Sequence, residues 1–133
     1  MDRLSERIAL AERALAAFQE LSGRPNPTAI ERDAAIQRFE FTFEAMWKCA
    51  QRFLQDVEKI AAGSPRSVIR SSRDVALLDD AQAVLALQMC DDRNQTVHTY
   101  NETLAKEIFS RLDGYASLIA SWLAKISERA ALP

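Results

Sequence analysis

Residues 28–63 constrain this chain more than any other stretch. Ile36, Phe39, Phe43, Met46, Trp47, Ala50, Phe53, Leu54, Val57 and Ile60 recur there at steps of three and four. That is the spacing of one face of a helix. Thr28 and Glu31 match a capping box at its start, and Gly63 offers a stop at its end. A helix of some 30 residues extends up to about 50 Å at 1.5 Å per residue. A compact domain of this length has a diameter of roughly 36 Å. The helix must therefore bend, or pack its excess on a second copy.

The other segments follow the same period. Leu4, Ile8, Ala11, Leu15 and Phe18 define a first helix ending near Leu21-Ser22-Gly23. Arg24-Pro25-Asn26-Pro27 makes a turn, because each proline disfavours helix in the residue before it. Ser64-Pro65 reads as an N-cap with proline at the first helical position, opening a short helix to about Leu77. Asp79 and Asp80 suit the start of a fourth helix, where carboxylates meet the positive end of the dipole. Its stripe is Ala83, Leu87 and Cys90, widened by Val84 and Leu85. Leu104, Ile108, Leu112, Tyr115, Ile119, Trp122, Leu123 and Ile126 form a last long helix, with residues 129–133 expected to fray. The expected fold is an all-α antiparallel bundle of about five helices, two of them long, in one domain spanning residues 1–133.

Composition narrows the class. Apolar residues make up 48% of 133, enough for a core, while 3 Gly and 4 Pro leave little turn material for a sheet. The net charge of -2 rules out a global basic field, so any nucleic-acid contact must come from a local patch. No run reaches the roughly 18 apolar residues of a membrane span. The N-terminus lacks the apolar core of a signal peptide. Cys49 and Cys90 each sit in an apolar helical pattern and read as buried free thiols. A cytoplasmic protein without metal or cofactor is expected.

Two features stand apart from the core pattern. Arg66, Arg70 and Arg73 form a basic stripe on the short third helix, read either as a solvated face or as a phosphate-facing surface. The aromatics Phe39, Phe43, Trp47 and Phe53 suit a core or a dimer seam better than a base-stacking platform. The second feature is Asp91-Asp92-Arg93-Asn94-Gln95-Thr96-Val97-His98-Thr99-Tyr100, which holds the one histidine of the chain and has no apolar period. On a continuous helix Arg93 and His98 differ by about 140°. They share a site only if the helix ends between them, and Asn94, Thr96 and Thr99 favour such an end. His98 would then lie near the surface. A capping histidine is the plainer reading of the same residues.

Arg93-x4-His98-x-Tyr100 resembles the R-x4-H-x-Y signature of HepT-type proteins in the HEPN superfamily. The block from Arg32 to Lys48 (RDAAIQRFEFTFEAMWK) and Ser64-Pro65-Arg66-Ser67-Val68-Ile69-Arg70 resemble the same group, in the same order along the chain. The similarity spans about residues 5–126. It implies a helical bundle that forms a homodimer, and a minimal nucleotidyltransferase as neighbour and antitoxin. It also implies one of two roles: a metal-independent ribonuclease toxin of a toxin–antitoxin pair, or a non-catalytic nucleotidyltransferase substrate-binding subunit. In the group the partner adenylylates the tyrosine of the motif, here Tyr100.

RNA cleavage without metal needs a base, an acid and a cation on the phosphorane. Histidine suits both proton transfers and arginine the charge. One chain supplies one histidine, so a two-fold dimer bringing together two copies of His98 and Arg93 is the arrangement that completes the site. Asn94 is a candidate to orient a phosphate or His98, and Asp92 to pair with Arg93. Tyr100 would sit beside the cleft.

Overall fold

The structure, a computed structural model, describes residues 2–131. Five α-helices and one short 3₁₀ turn make up its regular structure, and no strand occurs among the described residues. The helices are α1 (Arg3–Ser22), α2 (Ala29–Asp56), α3 (Pro65–Asp74), α4 (Asp80–Gln95) and α5 (Glu102–Ala130), with the 3₁₀ turn at Thr96–His98 between the last two. The expected all-α bundle with two long helices is the fold observed. Among the described residues no helix is long and apolar enough to cross a membrane.

Each helix start is set by local chemistry. Asp2 accepts from the Ser5 amide at 2.7 Å and caps α1. Thr28 and Glu31 form the expected capping box of α2, at 3.1 and 2.9 Å. Ser64 caps α3 with Pro65 in its first turn, and Asp79 caps α4 in a box closed by Gln82. Such caps satisfy amides that have no partner inside the helix, each contributing about 1 kcal/mol.

The ends were harder to anticipate. α2 stops at Asp56, short of Gly63. Lys59 takes a left-handed φ of 59°, its ammonium donates to the Asp56 carbonyl, and the Ile60 amide reaches back to the Leu54 carbonyl at 2.9 Å. Ile60 still packs on the core after the chain has turned, so the apolar period outlasts the helix. At 28 residues α2 is about 42 Å long. Likewise α3 ends at Asp74, not Leu77. Leu77 and Leu78 are instead a buried plug whose amides both bond the Ser72 carbonyl. Along α4 the buried stripe is Ala83, Ala86, Met89 and Cys90, while Val84 faces outward. The expected fraying falls only partly within the described residues, and residues 132–133 lie outside them. Arg129 is not loose: its guanidinium donates to the carbonyls of Val75 and Ala76 at 2.6 and 2.8 Å.

α2 and α5 form the spine, each packing against the other and against α1. α3 and α4 close the remaining side. The centre is aromatic. The Phe39 ring lies 6.0 Å from Phe18, 6.4 Å from Phe43 and 5.6 Å from Tyr115, on which it stacks. Phe53 is buried in the same cluster, whereas Trp47 sits at its margin. Polar ties fix α1 on α2: Arg38 donates to the Ala17 carbonyl at 2.7 Å and Thr42 to the Ala14 carbonyl at 3.1 Å. Cys49 and Cys90 are buried free thiols as expected, and burial pushes the Cys49 thiol up to about 12.

Candidate functional site

α4 ends inside the polar decamer, as the pairing of Arg93 with His98 requires. Regular helix stops at Gln95 and the chain tightens into the 3₁₀ turn. Thr96 makes the break. Its hydroxyl donates to the Arg93 carbonyl at 2.7 Å, the oxygen that its own amide also bonds, so side chain and backbone together tighten the last turn. Thr99 donates to the Thr96 carbonyl at 2.9 Å. Asn101 then caps α5, accepting from the Leu104 amide at 3.1 Å.

This break exposes the second half of the motif. His98 is at the surface, and the Tyr100 ring, 86% exposed, meets it edge-on with centroids 6.0 Å apart. Val97 beside them is also exposed. Asn94 lies exposed on the last turn of α4. The 140° separation of a continuous helix no longer applies to Arg93 and His98.

Arg93 and Asp92 part company. The expectation that they pair is corrected by the structure: Asp92 faces α5 and Arg93 faces α2. Adjacent residues on a helix diverge by about 100°, so neither can share the other's neighbour. Asp92 is buried, and its carboxylate accepts from Arg111 Nε and Nη2 at 2.7 and 2.9 Å and from the Tyr115 hydroxyl. Burial, then the bond to Asp92, pushes the Tyr115 hydroxyl above its usual range. The Asp92 contact likewise raises the Arg111 guanidinium. Asp92 therefore locks α4 to α5 beneath the site, without touching Arg93.

Arg93 is held from the other side. Its Nη1 lies 3.3 Å from Glu40 Oε2 and donates to Thr96 Oγ1 at 3.1 Å, and its Nε lies 3.8 Å from Glu44 Oε1. Glu44 in turn accepts from Trp47 Nε1 at 3.0 Å. Gln37, Glu40, Phe41, Glu44 and Arg93 line an open cleft of about 360 Å³. Phe41 is exposed there, an unusual place for a large apolar ring. Sequence reasoning assigned no part to Glu40 and Glu44. Their spacing of four on the polar side of α2 was the available signal.

The arginine stripe is not uniform. Arg66 pairs with Asp91, which joins the start of α3 to the end of α4 beside the decamer. Arg73 lies 3.6 Å from its neighbour Asp74, and Arg70 is exposed.

Known proteins share this architecture. A solved structure of a Thermus thermophilus protein superimposes with a TM-score of 0.86 at 53% identity, covering 87% of this chain and 98% of that one. A second, from Haemophilus influenzae, is described as revealing the fold of a substrate binding domain of a nucleotidyltransferase. It superimposes with a TM-score of 0.71, covering 94% of this chain and 99% of that one; at 21% identity the likeness is one of fold. A curated Haemophilus influenzae relative, named probable ribonuclease HepT, is 28% identical over 99 residues. That match covers 71% of this chain and 66% of the relative, so the chain spans just under two thirds of the relative's length. The model of the family described as nucleotidyltransferase substrate binding protein like matches residues 6–128. With nearly its whole length matched, the chain belongs to that family, the HepT-like group its motifs resemble.

Proposed function

We propose that this chain is a HepT-like toxin, a metal-independent endoribonuclease with a composite Arg93/His98 site at a homodimer cleft, neutralised by a minimal nucleotidyltransferase. The observation that carries the reading is the end of α4 between Arg93 and His98. It leaves an imidazole at the surface, five residues on from an arginine that is only one quarter exposed and already oriented.

The chemistry uses two copies of that arrangement. One His98 takes the proton of a ribose 2′-OH as its oxygen bonds to phosphorus. The phosphorus–O5′ bond breaks, and the second His98, as imidazolium, gives its proton to O5′. The products are a 2′,3′-cyclic phosphate and a 5′-hydroxyl. Arg93 offsets the charge of the phosphorane, and Asn94 orients the phosphate. Arg66 reaches the decamer through its pair with Asp91, and Arg70 and Arg73 follow it along α3 to extend a weak phosphate track for RNA. Tyr100 is open to modification, and an adenylyl group on it would set bulk and negative charge beside His98.

The test is incubation of the purified protein with RNA in EDTA. The parent cleaves, whereas His98→Ala does not and keeps the parent's dimeric mass by light scattering. Equal cleavage by both proteins refutes the reading. The exposure of Tyr100 also suits the second reading, a non-catalytic subunit that presents substrate or its own tyrosine to a nucleotidyltransferase. Under that reading the parent leaves RNA intact in EDTA, while the nucleotidyltransferase with ATP labels it and not Tyr100→Phe.

A further inference from the structure

We infer that Glu40 and Glu44 are positioning residues for Arg93, presetting its guanidinium so that the Nη2 side is left to meet a phosphate. The inference deepens the ribonuclease reading and rests on it for the catalytic part.

The two carboxylates stand one turn apart on α2, a spacing at which like charges repel. Arg93 lies across both, with Nη1 toward Glu40 at 3.3 Å and Nε toward Glu44 at 3.8 Å. Thr96 takes a second contact from Nη1 at 3.1 Å, and Trp47 steadies Glu44 from the far side at 3.0 Å. The arginine is thus gripped from α2 and from the 3₁₀ turn that leads to His98. Among the described residues no hydrogen bond engages Nη2. The Nε–H is buried without a hydrogen bond, too far from Glu44 to make one. A buried charged donor left this way is costly, and a small approach of Glu44 would satisfy it.

A freely rotating arginine has side-chain entropy that must be lost when it meets the phosphorane. Holding it beforehand removes that cost from the reacting state. The same carboxylates repel an incoming phosphate. A positioning role therefore predicts opposite effects on turnover and on binding, while a mere tether between α2 and α4 predicts neither.

The experiment compares the parent with Glu40→Gln, Glu44→Gln and the double variant. Cleavage of an RNA oligonucleotide in EDTA gives kcat and KM, and NMR of the arginine Nε–H groups reports the order of Arg93. Expected is a fall in kcat of about 10- to 100-fold in the double variant, with KM unchanged or lower. The Arg93 Nε–H signal should lose its order in the same variant. Glu40→Asp and Glu44→Asp, which keep the charge, should recover part of kcat and serve if a glutamine variant does not fold. An unchanged kcat, or a rise in KM alone, overturns the inference. If the parent itself does not cleave RNA, the ribonuclease reading fails separately and the Arg93 signal decides. Loss of order in the double variant then supports the grip, and unchanged order overturns it.

Discussion

The Asp92–Arg111–Tyr115 cluster should be a principal polar anchor of the fold, and Asp92→Asn tests this with little change in shape. The Asp92 side chain is 10% exposed and that of Arg111 is 33% exposed. The substitution keeps an oxygen for the Tyr115 hydroxyl but removes the charge and one side of the bidentate contact at 2.7 and 2.9 Å. Hydrogen bonds to charged groups contribute about 1.5–3 kcal/mol, and breaking a fully buried ion pair costs about 3–5 kcal/mol. Water reaches the orphaned guanidinium, so the loss should fall near the lower figures, about 2–3 kcal/mol. For a chain of this size that corresponds to a melting temperature lower by roughly 6–12 °C. Urea unfolding followed by circular dichroism gives the free energy directly. A double-mutant cycle with Arg111→Met should return a coupling of about 1–3 kcal/mol. A loss below about 0.5 kcal/mol, or a coupling near zero, would refute the reasoning that this pair is desolvated enough to matter.

Alkaline pH should weaken the fold through two buried acids. The Cys49 thiol is raised from 9.0 to about 12 and the Tyr115 hydroxyl is raised above 10.0, so both contribute fully below those unfolded values. Their stabilisation is lost as pH rises through the folded values, and Tyr115→Phe should flatten the decline of the urea midpoint above pH 10. Ala76 has a φ of 62° in the α3–α4 connection, where glycine is free of the strain that a Cβ brings. Ala76→Gly should therefore raise stability by about 0.5 kcal/mol in thermal melts, and destabilisation would contradict that account. Phe39→Ala, at the hub of three aromatic contacts, should cost about 3–5 kcal/mol by denaturant unfolding. Tyr100→Phe should leave the melting temperature unchanged, because the ring is exposed.

Much of the fold was readable because it is local. Thr28, Ser64 and Asp79 cap their helices through residues three positions on, so their roles follow from short stretches of chain. The stripes of α1, α2 and α5 follow from the helical period alone. The break in the decamer was readable for the same reason, since Thr96 and Thr99 bond to backbone within three residues. The end of α2 was not. Val57 and Ile60 keep the apolar period, but periodicity reports which residues meet the core and not whether the backbone is still helical.

The sequence by itself determined where the capped helices begin, which faces α1, α2 and α5 bury, and that the residues between Arg93 and His98 favour a helix end. The tertiary structure alone decided what Asp92 and Arg93 touch. Their neighbours Arg111, Tyr115, Glu40 and Glu44 come from α5 and α2. That choice depends on the rotational phase of α4 between those helices. A turn of about 100° separates one residue from the next, so a single step in phase would aim Arg93 at the partners of Asp92 and break both sets of contacts. Phase is set by how the summed side chains of the core fit together, which no local pattern encodes.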